Sequence, residues 1–528
     1  MRRLLAMLLP LLLLAGCAAS HEVEENETDW SLYQQEQLSA PENTEPEPPA
    51  YPDAFSMPYH KDYTLDPVTC GEGIQQDVAS LIYEPLFRLN ASFEPEPVLC
   101  ESWEWDESGM ICTLTLREEA RFQDGTALRA ADAAATLQRA VQSERYAYRL
   151  RNVAGIAANR SGQLVITLRA PDRGLLSLLD IPVVKSGTEN RIAPTGTGPY
   201  CFVSGEGADF LSADPEWWQG RSLPVETIPL VNAKDRTTAM YLFSSRKAEL
   251  MTVDPTDDLT AVGGQYETAY QPTTILQFIG FNSSGGIFSE AEVRRAFSEG
   301  IPRETMADAQ MAHLAVAAQF PISPLSPLYP ADLERSYDRD KAHAALLALI
   351  PEDSGEGEGD TEEAAEAAAL ALLVNEEDPF RLTSARFIAE SLSVPGGWQV
   401  EVRALPWEEY LAALEGGNFD LYYGEVRLTA DWDLADLVGS GGALNYGGYA
   451  SEFTDSLLLD FAAGLDRSGN ARRLASQLLE EAPIAPVCFK NYTVLTHPGV
   501  AEGISPLPSG GICNLDEWTI HLSQSAVY

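Results

Sequence analysis

Few residues in this chain could carry chemistry, and they lie far apart. "TADWD" places Asp431 and Asp433 close enough for two carboxyl groups to divide acid and base work. Neighbouring carboxylates on a loop, however, are commonly solvated or cap a helix. "PTGTGPYCF", residues 194–202, sets Gly196 and Gly198 either side of a threonine, as a phosphate-binding loop would. Such a loop must aim backbone N–H groups from the first turn of a helix. Pro199 and the β-branched and aromatic run "YCFVS" forbid that helix, so the stretch reads as a tight turn entering a strand. The six histidines, His21, His60, His313, His343, His497 and His521, are scattered. No G-x-S-x-G elbow, H-E-x-x-H pair or closely spaced Cys-His set occurs. The expectation is a protein that is not an enzyme, with no cofactor and no metal site.

The elements that would position such residues begin after an unusual N-terminus. Residues 1–17, "MRRLLAMLLPLLLLAGC", have two arginines, a leucine-rich core and a small-residue end, the layout of a secretory signal. "LAGC" resembles the bacterial lipobox, which implies cleavage before Cys17 and acylation of that cysteine. Two or three acyl chains would anchor the mature protein stably. Residues 18–54 are acidic, without lysine or arginine up to Ala50, and rich in Pro, Gln and Glu, so they read as a tether. Residues 351–366, "PEDSGEGEGDTEEAAE", read as a solvated acidic loop, because glycines stand where a calcium loop needs ligands.

The whole chain holds 35 basic and 79 acidic residues, a net charge of −44. That balance argues against nucleic acid and against electrostatic docking on anionic lipid. The roughly 480 residues beyond the tether are too many for one core and call for two or three domains with a cleft. Seven cysteines, less Cys17, leave Cys70, Cys100, Cys112, Cys201, Cys488 and Cys513. An exported protein permits disulfides among them, and the spacing leaves the pairing open.

Strand patterns stand out at "ICTLTL", "QLVITL", "YCFVS", "ILQFIGFN", "LALLVN" and "WQVEVRAL". Helical patterns separate them, among them "RAADAAATLQRAVQ", "EAEVRRAFSEGI", "RDKAHAALLALI", "FRLTSARFIAESL" and "WEEYLAALEGG". Interleaved strands and helices predict a mixed α/β architecture. "ESWEWDESGMICTLTLREEARFQDGTALRAADAAATLQRA" reads as a hairpin turned at Asp106 to Gly109, a second turn at Asp124 and Gly125, and a helix capped near Ala130.

That segment resembles the family 5 extracellular solute-binding proteins, the peptide and nickel type of receptor for ABC importers. The resemblance continues in order through "TLDP", "IYEPLFRLN", "PTGTGPYCF", "DPEWWQG", "AMYLFSSRKAELM", "LQFIGFN", "VRRAFSEGIPRETM" and "YDRDKAHAALL", over about residues 60–520. "SSRKAEL" replaces the usual glycine-acidic turn, Pro302 interrupts "GIPRE", and the 351–366 loop is unusually acidic.

The resemblance implies a two-lobed, periplasmic-binding-protein-like α/β fold with an enlarged first lobe and mixed sheets joined by a hinge. It places lobe I at 55–273 plus 490–528, lobe II at 274–489, and the hinge near Gln277 to Asn282 and Pro486 to Asn491. It also implies a lipid-anchored receptor on the outer face of the cytoplasmic membrane. The receptor is expected to be monomeric and to deliver a small ligand, a peptide first of all, to an ABC permease and ATPase. A nickel complex or metallophore, a sugar, or a non-transporting sensor or adhesin stand as alternatives.

"FDLYYGEVRLTADWDLADL" is similar to the family segment that leaves an aspartate facing the interlobe cleft. By that resemblance Asp431 would meet a ligand ammonium, its alternative being an N-cap for "DLADLV". Arg427, two alternate positions away, would face the same side of an extended segment and could meet a carboxylate. Trp432, Trp407, Tyr422 and Tyr423 could line pockets or fill core. Asn445 and Tyr446 match the family's cleft-side region.

Overall fold

Two long antiparallel strands, Glu267–Phe281 and Ile484–Thr496, organise the fold. The computed structural model describes residues 51–71, 73–205, 207–254, 262–311, 314–349, 369–395 and 397–523, which belong to one compact unit. The expected signal, Cys17, most of the tether, the 351–366 loop and His313 lie outside the described residues. No helix among the described residues is long and apolar enough to cross a membrane.

The C-terminal half of Ile484–Thr496 pairs with Leu250–Val253, Leu250 opposite Thr496. At the other end, Ile275 to Phe281 pair with Leu421–Arg427, Ile275 opposite Arg427. Parallel strands Ala369–Asn375 and Gln399–Leu405 extend that side, and Ala315–Ala317 adds to the Ile484–Thr496 strand, giving seven strands in one sheet. The ladder between the two long strands breaks between Pro272 and Ile275 and again between Gln277 and Phe278. Pro272 has no N–H to donate. At the first break the Thr273 hydroxyl donates to the Lys490 carbonyl and accepts from Ile275 N–H at 3.0 Å.

Two four-stranded sheets precede this one. The first runs Met57–Tyr59, Thr227–Asn232, Asp209–Ala213, Tyr200–Ser204; the second runs Cys100–Trp105, Ile111–Leu116, Leu164–Leu168, Val153–Ala158. In the second, alternation buries Cys112, Leu114 and Leu116 against helix Ala130–Ala140. That helix begins as the sequence predicts: the Arg129 N–H donates to the Asp132 carboxylate at 3.1 Å. All six described cysteines are free thiols, and burial pushes the Cys100 and Cys112 thiols up to about 12.

The Gly196–Gly198 turn does enter a strand, Tyr200–Ser204. Its glycines are required by close approach to the end of helix Ile74–Ile82. A Cβ on Gly196 would lie 2.0 Å from the Ile82 carbonyl oxygen, and one on Gly198 would lie 2.7 Å from it. The Gly198 N–H donates to the same carbonyl at 2.9 Å. The Gln123 side chain ties the turn down, donating to Ile82 and Tyr200 carbonyls at 3.2 and 2.6 Å.

Candidate functional site

A cavity of about 500 Å³ is lined in part by the two long strands. Gln271, Thr273 and Tyr492 come from the crossing strands themselves. Gln76 and Asp77 come from helix Ile74–Ile82, which presents them to the cavity while Val78, Leu81 and Ile82 pack into the core behind. The turns after helix Ala130–Ala140 supply Arg145 and Arg149. The segment from Arg427 to Ala430, at the end of strand Leu421–Arg427, also lines it.

Four arginines and three aspartates line this space. Arg149 pairs with Asp180, and burial pulls its guanidinium down to about 10. Asp254 pairs with the buried Lys490 at 3.1 Å, and Lys490 also reaches Glu425 at 3.4 Å. Asp77 is buried on the cavity floor. Burial pushes its carboxyl up to about 7, opposed by the neighbouring Thr252 hydroxyl and by the nearby Arg236. Arg427 donates to the Tyr492 hydroxyl at 2.7 Å, with its guanidinium 5.6 Å from the ring centre. Tyr146 packs beneath the Arg145 and Arg149 guanidinia at 5.1 and 5.8 Å.

Of the residues expected at the site, Arg427 lines the cavity, and the cavity wall ends at Ala430, one residue before Asp431. The segment does not run on as an extended strand, so Arg427 and Asp431 do not share a side by alternation. The strand ends at Arg427, and a turn follows in which the Trp432 N–H donates to the Thr429 carbonyl at 2.9 Å. Trp432 sits at φ 60°, which reverses the chain there. Asp431 is only 7% exposed, packed so closely on residues 172–174 that a Cβ on Gly174 would lie 2.6 Å from its own Cβ. Its carboxyl is pushed up by burial and by Asp433, while Thr429 and Arg467 pull it down. Asp172 beside it is pushed up to about 7 by burial and by the Asp431 charge. Asp431 is not the N-cap of the short helix Ala435–Val438: the N-cap position is Leu434, and the first N–H, that of Ala435, donates to the Asp433 carboxylate at 3.0 Å.

Asp433 also meets Arg151 at 2.5 Å, and Arg151 pairs with Asp436, which accepts from the Tyr148 hydroxyl at 2.8 Å. Trp432 fills core, edge-on between Phe93 and Phe489 at 5.2 and 5.7 Å. Asn445 spends its side chain on its own loop, donating to Gly439 and Tyr449 carbonyls and accepting from Tyr449 N–H. Tyr446 packs against Tyr422, and neither it nor Asn445 lines the cavity. Tyr422 and Tyr423 are buried in core, and Trp407 is exposed away from the cavity. Sequence reasoning missed Gln76, Asp77, Arg145 and Arg149. The one local signal was "ERYAYRLR", three arginines within seven residues of an otherwise acidic chain. Among the described residues no group of three or more His, Cys, Asp or Glu is placed to hold a metal ion.

The family pattern for bacterial extracellular solute-binding proteins, family 5 middle, matches residues 94–438. The glutathione-binding protein GsiB of Escherichia coli K12 is 27% identical over 277 residues, which are 49% of this chain and 54% of GsiB. The chain thus aligns with about half the length of the curated relatives it matches. Among solved structures, the oligopeptide-binding protein AppA of Bacillus subtilis, in complex with a nonapeptide, aligns with a TM-score of 0.58 at 20% identity, covering 90% of this chain and all of AppA. NikZ of Campylobacter jejuni, in complex with Ni(L-His), gives 0.61 at 18%, covering 88% of this chain and 99% of NikZ. These likenesses show the fold: mixed α/β, two-lobed, of the periplasmic-binding type.

Proposed function

From the premise that this chain belongs to the family 5 bacterial extracellular solute-binding proteins, we propose that it binds a short peptide in the cavity at its crossing strands and delivers it to an ABC permease and ATPase. The observation that carries the reading is the cavity itself, lined among others by Gln76, Arg145 and the segment from Arg427 to Ala430. Its volume suits a ligand of drug-like size, which for a peptide is a few residues. GsiB, named for glutathione, and AppA, holding a nonapeptide, are similar proteins that take peptides. Lobe I is taken as 55–273 with 490–528 and lobe II as 274–489. The two breaks in the long-strand ladder lie at this junction, where closure would bury the ligand between both lobes.

In this reading Asp431, one residue beyond the cavity lining, supplies the counter-charge for the peptide's ammonium once closure brings the ligand against it. Asp172 and Asp431 are two buried carboxyls beside one arginine, Arg467, so a cation added there relieves their repulsion. Removing one partner of a buried pair costs about 3–5 kcal/mol, a hundredfold or more in affinity. Calorimetric titration of wild type and Asp431→Asn with Ala-Ala-Ala, free and N-acetylated, tests this. Wild type should prefer the free amine strongly, and the variant should lose the preference at an unchanged melting temperature. A variant that keeps the preference removes Asp431 from the site; a wild type that binds a nickel–histidine chelate and no peptide overturns the peptide reading.

The acyl anchor on Cys17 belongs to the same proposal, because a tether without basic residues up to Ala50 has no means of holding an anionic surface. Cys17→Ser should move the protein from the detergent phase to the aqueous phase. Unchanged partitioning would refute the anchor.

A further inference from the structure

We infer that the cavity selects peptides with a second carboxylate besides the C-terminal one, that is, short acidic peptides, and that Arg145 with Gln76 holds that extra carboxylate. The inference rests on the peptide reading above and deepens it. The Arg145 guanidinium donates through Nη2 to Gln76 Oε1, which fixes the orientation of the glutamine amide. Two donors are then left over, Arg145 Nη1 and Gln76 Nε2. Both are buried, and neither meets an acceptor among the described residues. Both side chains line the cavity. Buried donors are ordinarily satisfied, and two of them side by side, one on a charged fork, suit the two oxygens of a carboxylate.

The other charges of the cavity do not compete for this role. Arg149 is taken by Asp180, Asp254 by Lys490, and Arg236 lies within electrostatic reach of Asp77. Arg145 and Arg427 have no acidic partner within ion-pair distance among the described residues. Both line the cavity, so a ligand with two carboxylates can engage both.

Calorimetric titration of the wild-type protein with Ala-Ala-Ala, Glu-Ala-Ala, Ala-Glu-Ala and Ala-Ala-Glu, and with the three matching lysine peptides, is the test. At least one glutamate peptide should bind roughly ten- to hundredfold more tightly than Ala-Ala-Ala, the value of a charge-assisted hydrogen-bonded pair, and its lysine counterpart should bind more weakly than Ala-Ala-Ala. Arg145→Gln should lower affinity for the glutamate peptide far more than for Ala-Ala-Ala, erasing the preference; Arg145→Lys should restore part of it. Equal binding of alanine and glutamate peptides by wild type overturns the inference and leaves the peptide reading standing. A preference that survives Arg145→Gln overturns the assignment to Arg145. Binding of none of the peptides overturns both, and the wild-type series decides this even if a variant fails to fold.

Discussion

Single residues in this protein are constrained most where backbone meets backbone. Gly198 shows it: a Cβ there would stand 2.6 Å from the Ile82 carbonyl carbon and 2.8 Å from the Leu81 carbonyl oxygen, and neither can swing away as a side chain end could. Gly198→Ala must push the turn off helix Ile74–Ile82, breaking the Gly198 N–H bond to Ile82. A loss of about 3 kcal/mol is expected, the upper part of the usual overpacking range. Gly207→Ala is the control, since nothing lies within 4 Å of a Cβ at that position. It should change stability by less than about 0.5 kcal/mol. Equal urea midpoints for the two variants would show that the turn can move away from the helix. The same helix carries Gln76 and Asp77 on its cavity face, so this glycine packing also fixes one wall of the binding site.

Elements were legible in the sequence wherever one physical signal dominated. Alternation marked Ile111–Leu116 and Leu164–Leu168, β-branched and aromatic runs marked Tyr200–Ser204, and a small-residue face marked helix Ala130–Ala140. The turns at Gly109 and Gly125 followed from positive φ values that glycine accepts freely. Legibility failed where the decisive partner is remote. "VRRAFSEGIPRE" shows arginines that a pattern leaves in solvent, yet Arg294 and Arg303 are 3% and 8% exposed. Arg294 donates to the carbonyls of Phe288, Ser289, Glu481 and Ala482, and Arg303 to that of Pro486. Those carbonyls lie up to 188 residues away, so no local window contains the reason for the burial. The candidate site fails for the same cause. Gln76, Arg145 and Arg427 are remote in sequence and share one cavity only in the fold, and the turn at Trp432 broke the alternation that paired Arg427 with Asp431.

At the scale of the whole molecule, the balance of buried against exposed carboxyls sets how stability responds to pH. Burial pushes Asp77, Glu84, Asp172 and Glu249 each up to about 7, the last opposed by Arg246 and Glu84 by hydrogen bonds from Trp218 and Gln219. Their unfolded values lie near about 4. Between about pH 4 and pH 7 the folded chain therefore binds more protons than the unfolded one, and stability is full at the acid end and falls as pH rises through that window. His497 works the other way, since burial holds its imidazole down and acidification must charge it, but it is one group against these four and against Asp431 and Asp516, which burial also pushes up. Each carboxyl contributes at most about 1.4 kcal/mol per pH unit inside the window. The melting temperature is thus expected to be several degrees higher near about pH 5 than near about pH 8. Relief of repulsion within a chain of charge −44 would act in the same direction, and salt separates the two causes. At about 1 M salt the surface repulsion is screened within roughly 3 Å, whereas carboxyls as buried as Asp77 and Glu84 are not reached. The pH effect should persist in high salt and shrink in Asp77→Asn with Glu84→Gln. A melting temperature that rises with pH, or a pH effect abolished by salt alone, would place the acid response on the surface instead of in the core.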